Sequence, residues 1–250
     1  CHLCDATDWH CFGEDAAWRA TVGVNRSTSP FWNMHIPLLS IPGMTSTTIL
    51  PDSCHTFHLG WGVDLGSSGL VLMCKRDVFP GRTLDDRLRN AYSMFMSWCA
   101  QNKKTSGIDW WSTKKLDMAS TNDWPTSLGS SKAFDTSLVL AWQESLLIEM
   151  DCQHEDLLQA LKVTVLSANT YFRTMRKHGV FIPDPDRQVV VRAGYDMVEG
   201  FSYLATKCYN AGLKLFRLRP KIHFQQHLTM NMSAGSKGLS VLNYSCWSDE

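Results

Sequence analysis

The stretch HEDLLQALKVTVLSANTYFRTMRKH, residues 154–178, decides the fold class. Leu158, Leu161, Val165, Ala168, Phe172 and Met175 recur every three or four positions, which lines one face of a long amphipathic helix. Beyond Pro183 and Pro185 the pattern repeats in Val190, Ala193, Met197, Phe201, Leu204, Cys208 and Ala211, and Gly212 stands where it can end that helix. Toward the N-terminus, Asp135 is placed to cap a helix carrying Leu138, Trp142, Leu146 and Glu149. Earlier still, Pro80-Gly81 breaks the chain. Thr83 then serves as a cap, with Asp85 and Asp86 at the positive end of a helix bearing Leu84, Leu88, Ala91, Phe95, Trp98 and Cys99. Residues 56–75 read as helix although Gly60, Gly62, Gly66 and Gly69 weaken it; such glycines let a neighbour approach closely. A shorter helix follows Pro220, where proline is tolerated in the first turn. Short strands are expected at 47–50, near Leu116 within the polar connection 104–130, and at 239–247. The expected class is mainly α with a few short strands near both ends.

The chain has 250 residues, 44% hydrophobic and 19% charged, a composition that argues against disorder and allows a sizeable core. Lys+Arg and Asp+Glu both number 24, so no global charge points to nucleic acid or to a membrane surface. Apolar runs such as Leu70 to Cys74 are too short to span a bilayer, and no membrane partner is expected. The chain opens at Cys1 without a signal peptide and reads as an internal piece of a longer protein. Its nine cysteines are scattered, unlike a small disulfide framework, and read as reduced intracellular thiols. Ten tryptophans are spread along the chain as core or half-buried residues, with no stacking platform.

Four features carry chemistry. Cys1-His2-Leu3-Cys4 turns two sulfurs to one point, and His10 and Cys11 follow. Cys1, Cys4, His10 and Cys11 are therefore a candidate Zn²⁺ set, against the alternative of unligated thiols. Asp52 ends a β-prone run, with His55 and His58 three and six positions later. A carboxylate held there suits a hard divalent ion, against the alternative that Asp52 merely caps the next helix. Between Glu199 and Asp249 no acidic residue occurs, while Lys207, Lys214, Arg217, Arg219, Lys221 and Lys237 are basic. Lys214, Arg217, Arg219, Lys221, His223 and His227 form a candidate nucleic-acid contact. His223 and His227 lie one helical turn apart and can bind metal or donate to phosphate; the alternative is a solvated basic face over a buried histidine pair. Last, Asp249 and Glu250 form an acidic end.

The order of these features resembles the C-terminal part of ribonuclease-H-like DDE transposases of the CACTA (En/Spm) type. It is closer still to uncharacterised transposon-derived multi-copy proteins of protists. The features that carry the resemblance are the Cys-x-x-Cys element, Asp52-x-x-His55, Lys221-x-His223-x-x-x-His227-Leu228 and the Trp247-containing end. Cys54 stands where that family has Met, and the Cys1 element lacks the family's Pro. The resemblance implies a partial ribonuclease-H-like α/β core interrupted by a large helical insertion. The segments are then 1–50 irregular and Cys-containing, 51–80 core, 81–215 insertion and 216–250 the basic helix and acidic end. It implies Asp52, His55 and Glu250 as catalytic residues, with Asp249 competing for the last place, and Mg²⁺ or Mn²⁺ held by Asp52 and Glu250. DNA as partner, cleavage and strand transfer by a possible homo-oligomer, and a nuclear location follow from the same resemblance. Three rival readings stand beside it: a transposon-derived nucleic-acid-binding or interaction protein without cleavage, an unrelated metal-dependent hydrolase built on Asp52, His55, His58 and Asp64, and a plain helical interaction protein.

Overall fold

A computed structural model describes residues 1, 3–6, 15–22, 41–44, 48–130, 132–233 and 238–246. Its centre is α1 (Gly62–Lys75), whose residues from Asp64 to Cys74 are all buried. A π-helical turn, Cys54–Trp61, leads into it. The glycines that weaken this helix on paper explain its position. A side chain at Gly69 would meet Leu161 Cδ1 at 3.1 Å and Gln143 Oε1 at 3.2 Å, so only a bare backbone lets the neighbouring helices close on α1. Gly60 is a second such place. Its backbone (φ −121°, ψ −125°) is not helical, and it kinks the turn before α1.

Five helices follow, α2 (Leu84–Gln101), α3 (Ala133–Glu149), α4 (Asp156–Arg176), α5 (Asp184–Asn210) and α6 (Pro220–Ser233), of which α2, α3 and α4 pack against α1 and α6 packs against the turn that leads into it. α2 opens with the expected Thr83 cap, and Asp86 returns the bond to the Thr83 N–H. α4 and α5 pack along each other through their apolar stripes, and α5 packs against α6. Gly212, at φ +70°, ends α5. Leu213 N donates to Cys208 O at 2.8 Å and Gly212 N to Tyr209 O at 2.9 Å, the paired bonds of a left-handed helix end. One continuous core runs from Phe57 to Val241, with Trp61, Trp111, Tyr171, Phe201 and Phe216 among its largest members.

The mixed α/β expectation is overturned. Helix makes up 62% of the described residues and strand 1%, with no sheet among them, so the partial ribonuclease-H-like core is absent from the described residues. The physical reason is that, among the described residues, pairing stops at one short contact between 180–182 and 238–240, too brief to sustain a strand. Residues 48–50 are not strand, and position 47 lies outside the described residues. The segment around Leu116 is a tight turn, with Asp117 at φ 56°. Of 239–247, Leu239 makes a single bridge to Phe181, after which Val241–Tyr244 form a short 3-10 turn. Asp135 also departs from expectation. It sits inside α3 and accepts bonds from Ser106, Gly107 and Ser130, tying down the long connection; Lys132 occupies the cap.

No described helix is long and apolar enough to cross a membrane. None of the described cysteines is disulfide-bonded to another described one.

Candidate metal centre

α6 brings His223 and His227 to one face, four residues apart, and buries both. Their Nε2 atoms stand 3.0 Å from each other. Cys4 Sγ lies 3.1 Å from His223 Nε2, and Cys1 Sγ 3.6 Å from His227 Nε2. All four ligand atoms fall within 4.8 Å of one another. Two thiols and two imidazoles around a tetrahedral ion would be spaced by about 3.3–3.8 Å, given metal–sulfur and metal–nitrogen bonds of about 2.3 and 2.0–2.1 Å. The set therefore fits a metal ion with little adjustment.

The short 3-10 turn Ala17–Thr21 closes the site. Trp18 is buried and packs edge-on against His223, ring centres 4.5 Å apart, and tilted against His227 at 5.4 Å. Nδ1 of His223 makes no hydrogen bond among the described residues, so packing on Trp18 sets the orientation of that ring. Burial pushes the His223 imidazole down to about 4, which keeps it neutral and able to donate a lone pair to metal. The pairing differs from the one expected from the sequence: Cys1 and Cys4 find their partners on α6, while His10 and Cys11 lie outside the described residues. The signal was present in the sequence as a Cys-x-x-Cys and a His-x-x-x-His. Some 219 residues separate Cys4 from His223, a distance no local spacing rule bridges.

A second cluster forms around Asp52. Its Oδ1 accepts the N–H of Cys54 at 2.6 Å and of His55 at 3.2 Å, as a capping carboxylate does. Its Oδ2 lies 3.2 Å from His55 Nδ1 and 3.2 Å from the N–H of Cys246. Partial burial raises the Asp52 carboxyl, but the bonds from Cys246 and His55 outweigh it and bring it down to about 2. Cys246 Sγ is 3.2 Å from His55 Nδ1. The route by which Cys246 arrives is visible: Ser240 N donates to Val180 O, Ile182 N to Gly238 O, and Asn243 Nδ2 to Val180 O, docking residues 238–246 on the loop between α4 and α5. Asp249 and Glu250 lie outside the described residues.

His58 and Asp64 do not join Asp52 and His55. His58 is buried against Phe57 and Phe172, and burial and then Arg176 push its imidazole well below its ordinary value. Asp64 is fully buried in a two-pronged ion pair with Arg219, both N···O distances 2.8 Å. Among the described residues the four-ligand hydrolase site is therefore not assembled.

The basic run is divided. Arg219 is committed to Asp64, and Lys221 Nζ donates to the carbonyls of His55 at 2.8 Å and Leu59 at 3.4 Å, beside the kink at Gly60. His223 and His227 face the cysteines. Lys214 and Arg217 are exposed.

Comparison with family models, with curated proteins and with solved structures finds no match.

Proposed function

We propose that this chain is part of a transposon-derived protein that cleaves and joins DNA phosphodiesters with a divalent ion, and that a structural zinc ion at Cys1, Cys4, His223 and His227 clamps its N-terminal segment to α6. The observation that carries this reading is convergence. The Asp52 element meets the C-terminal segment at Cys246, 194 residues away, and the Cys-x-x-Cys element meets the Lys-x-His-x-x-x-His element. Lys221 then ties the second pair to the first through the His55 carbonyl. The elements that carry the resemblance thus meet in pairs joined by one lysine.

In this reading the buried centre is closed by four protein ligands and does no chemistry, as structural zinc sites do. In the same reading Asp52, on the exposed side, would hold a divalent ion, and that ion would supply Lewis-acid stabilisation to the scissile phosphate. Lys214 and Arg217 contact the DNA backbone.

The test is strand cleavage of DNA carrying the ends of the element, by the protein that bears this chain, with added Mg²⁺, Mn²⁺ or Zn²⁺. Loss of cleavage in Asp52→Ala, with DNA binding retained, is the expected result. Equal cleavage removes Asp52 from the mechanism. Steeply salt-dependent binding with no cleavage in the parent protein favours the binding module instead.

A further inference from the structure

We propose that Asp52, His55 and Cys246 form a second metal site, separate in its ligands from the buried one, that takes a zinc-like ion and keeps one coordination position open to solvent. It rests on Asp52 being a metal ligand but not on any DNA chemistry.

The three ligand atoms lie within 4.8 Å of one another. The two distances that meet at His55 Nδ1, to Asp52 Oδ2 and to Cys246 Sγ, are both 3.2 Å, close to the spacing of about 3.3–3.8 Å that a tetrahedral zinc imposes. The carboxylate is positioned in advance. Oδ1 is occupied by the N–H groups of Cys54 and His55, which turns Oδ2 to the imidazole and the thiol. The N–H of Cys246 on the same Oδ2 fixes the thiol-bearing segment against it.

Exposure separates the two centres. At the first one, Cys4, His223 and His227 are buried, with Trp18 against both imidazoles and only Cys1 exposed. Here the His55 side chain is 53% exposed and that of Asp52 29%, so a water or a phosphate oxygen can reach the ion. Among the described residues the site has three protein ligands, the number found in zinc sites that act as Lewis acids.

Ligand softness decides the ion. Magnesium and manganese favour sets made only of oxygen; a thiolate with an imidazole selects zinc or cobalt. The ion at Asp52 is therefore not the Mg²⁺ or Mn²⁺ implied by the sequence resemblance.

Native mass spectrometry of the zinc-loaded protein, without DNA, tests the assignment. The wild-type chain is expected to carry two zinc ions. Cys246→Ser and His55→Ala are each expected to carry one, with the helical circular dichroism unchanged because neither position belongs to the hydrophobic core. Cobalt loading gives a second readout: thiolate-to-cobalt absorption falls by about one third in Cys246→Ser, as three thiolates become two. A Cys246→Ser protein that holds as many ions as the wild type overturns the proposal, and so does a second zinc that a large excess of Mg²⁺ displaces. One ion in the wild type, lost in Cys4→Ser but kept in Cys246→Ser, also overturns it and leaves the buried centre standing. One ion, lost in Cys246→Ser but kept in Cys4→Ser, supports this site and removes the buried one. DNA cleavage enters none of these outcomes, so the failure of that reading is seen separately.

Discussion

His223 and His227 present their Nε2 atoms to each other at 3.0 Å from successive turns of α6, and the sulfurs of Cys4 and Cys1 stand against them. A hydrogen bond between the two rings accounts for that pair alone, and thiols are weak hydrogen-bond partners for the other two contacts. A metal ion would satisfy all four donors at once and join segments 219 residues apart in the sequence.

If the ion is the clamp, removing it frees the N-terminal segment and spares the bundle. Chelation of the wild-type protein is expected to leave the helical circular dichroism nearly unchanged, because the core from Phe57 to Val241 does not depend on Cys1 or Cys4. Limited proteolysis is then expected to cut near Trp18 many times faster. An unchanged cleavage pattern after complete metal removal contradicts the clamp.

Gly69 tests how tightly α1 is enclosed. In an exposed helix, Gly→Ala gains about 1 kcal/mol. Here the added methyl lies 3.1 Å from Leu161 Cδ1, and crowding of this kind costs about 1–3 kcal/mol. Urea unfolding of Gly69→Ala is expected to show a net loss of stability, whereas Gly179→Ala, where nothing lies within 4 Å, stays close to wild type. A gain at Gly69 would mean that α3 and α4 stand further off.

Asp64 gives the fold a pH dependence of unusual sign. Burial pushes its carboxyl up to about 7 against the opposing pull of Arg219. Between its ordinary value of 3.8 and about 7, the folded chain keeps a proton that the unfolded chain has released, so this contribution to stability is lost as pH rises through that window. The stability advantage of wild type over Asp64→Asn, measured by urea unfolding, is expected to shrink as pH rises. Zinc loss at low pH affects both proteins and cancels in the difference. An advantage that grows with pH would show that the ion pair outweighs burial.

Lys214 and Arg217 carry what remains of the basic run at the surface. Replacing both with alanine is expected to lower the slope of log affinity against log salt by about 1.8 for duplex DNA, at about 0.9 per phosphate contact. Replacing Lys221 instead should leave that slope in place, since its ammonium is held by the His55 and Leu59 carbonyls. A slope that does not change in the double variant removes this face from DNA contact.

The long helices were legible because their stripes repeat over many turns, and Thr83 and Gly212 mark their ends as expected. The strands were misread because runs such as 239–247 carry β-prone residues, yet propensity alone cannot provide a neighbouring strand. Asp135 looked like a cap because carboxylates often are; its serine and glycine partners come from the preceding loop and cannot be seen in the helix itself. For the metal centre, both half-motifs were readable. Their pairing was not, because it depends on how α5 and α6 return the chain to its N-terminal segment. The division of the basic run was hidden for a related reason: a sequence shows charges but not that Asp64 is buried against one of them.

Zinc K-edge X-ray absorption on the His55→Ala/Cys246→Ser double variant, which keeps only the buried centre, tests the clamp most directly. The expected first shell is two sulfurs at about 2.3 Å and two nitrogens at about 2.0–2.1 Å. A shell of nitrogen and oxygen alone, or a protein that purifies without zinc yet protects Trp18 from protease, would contradict it.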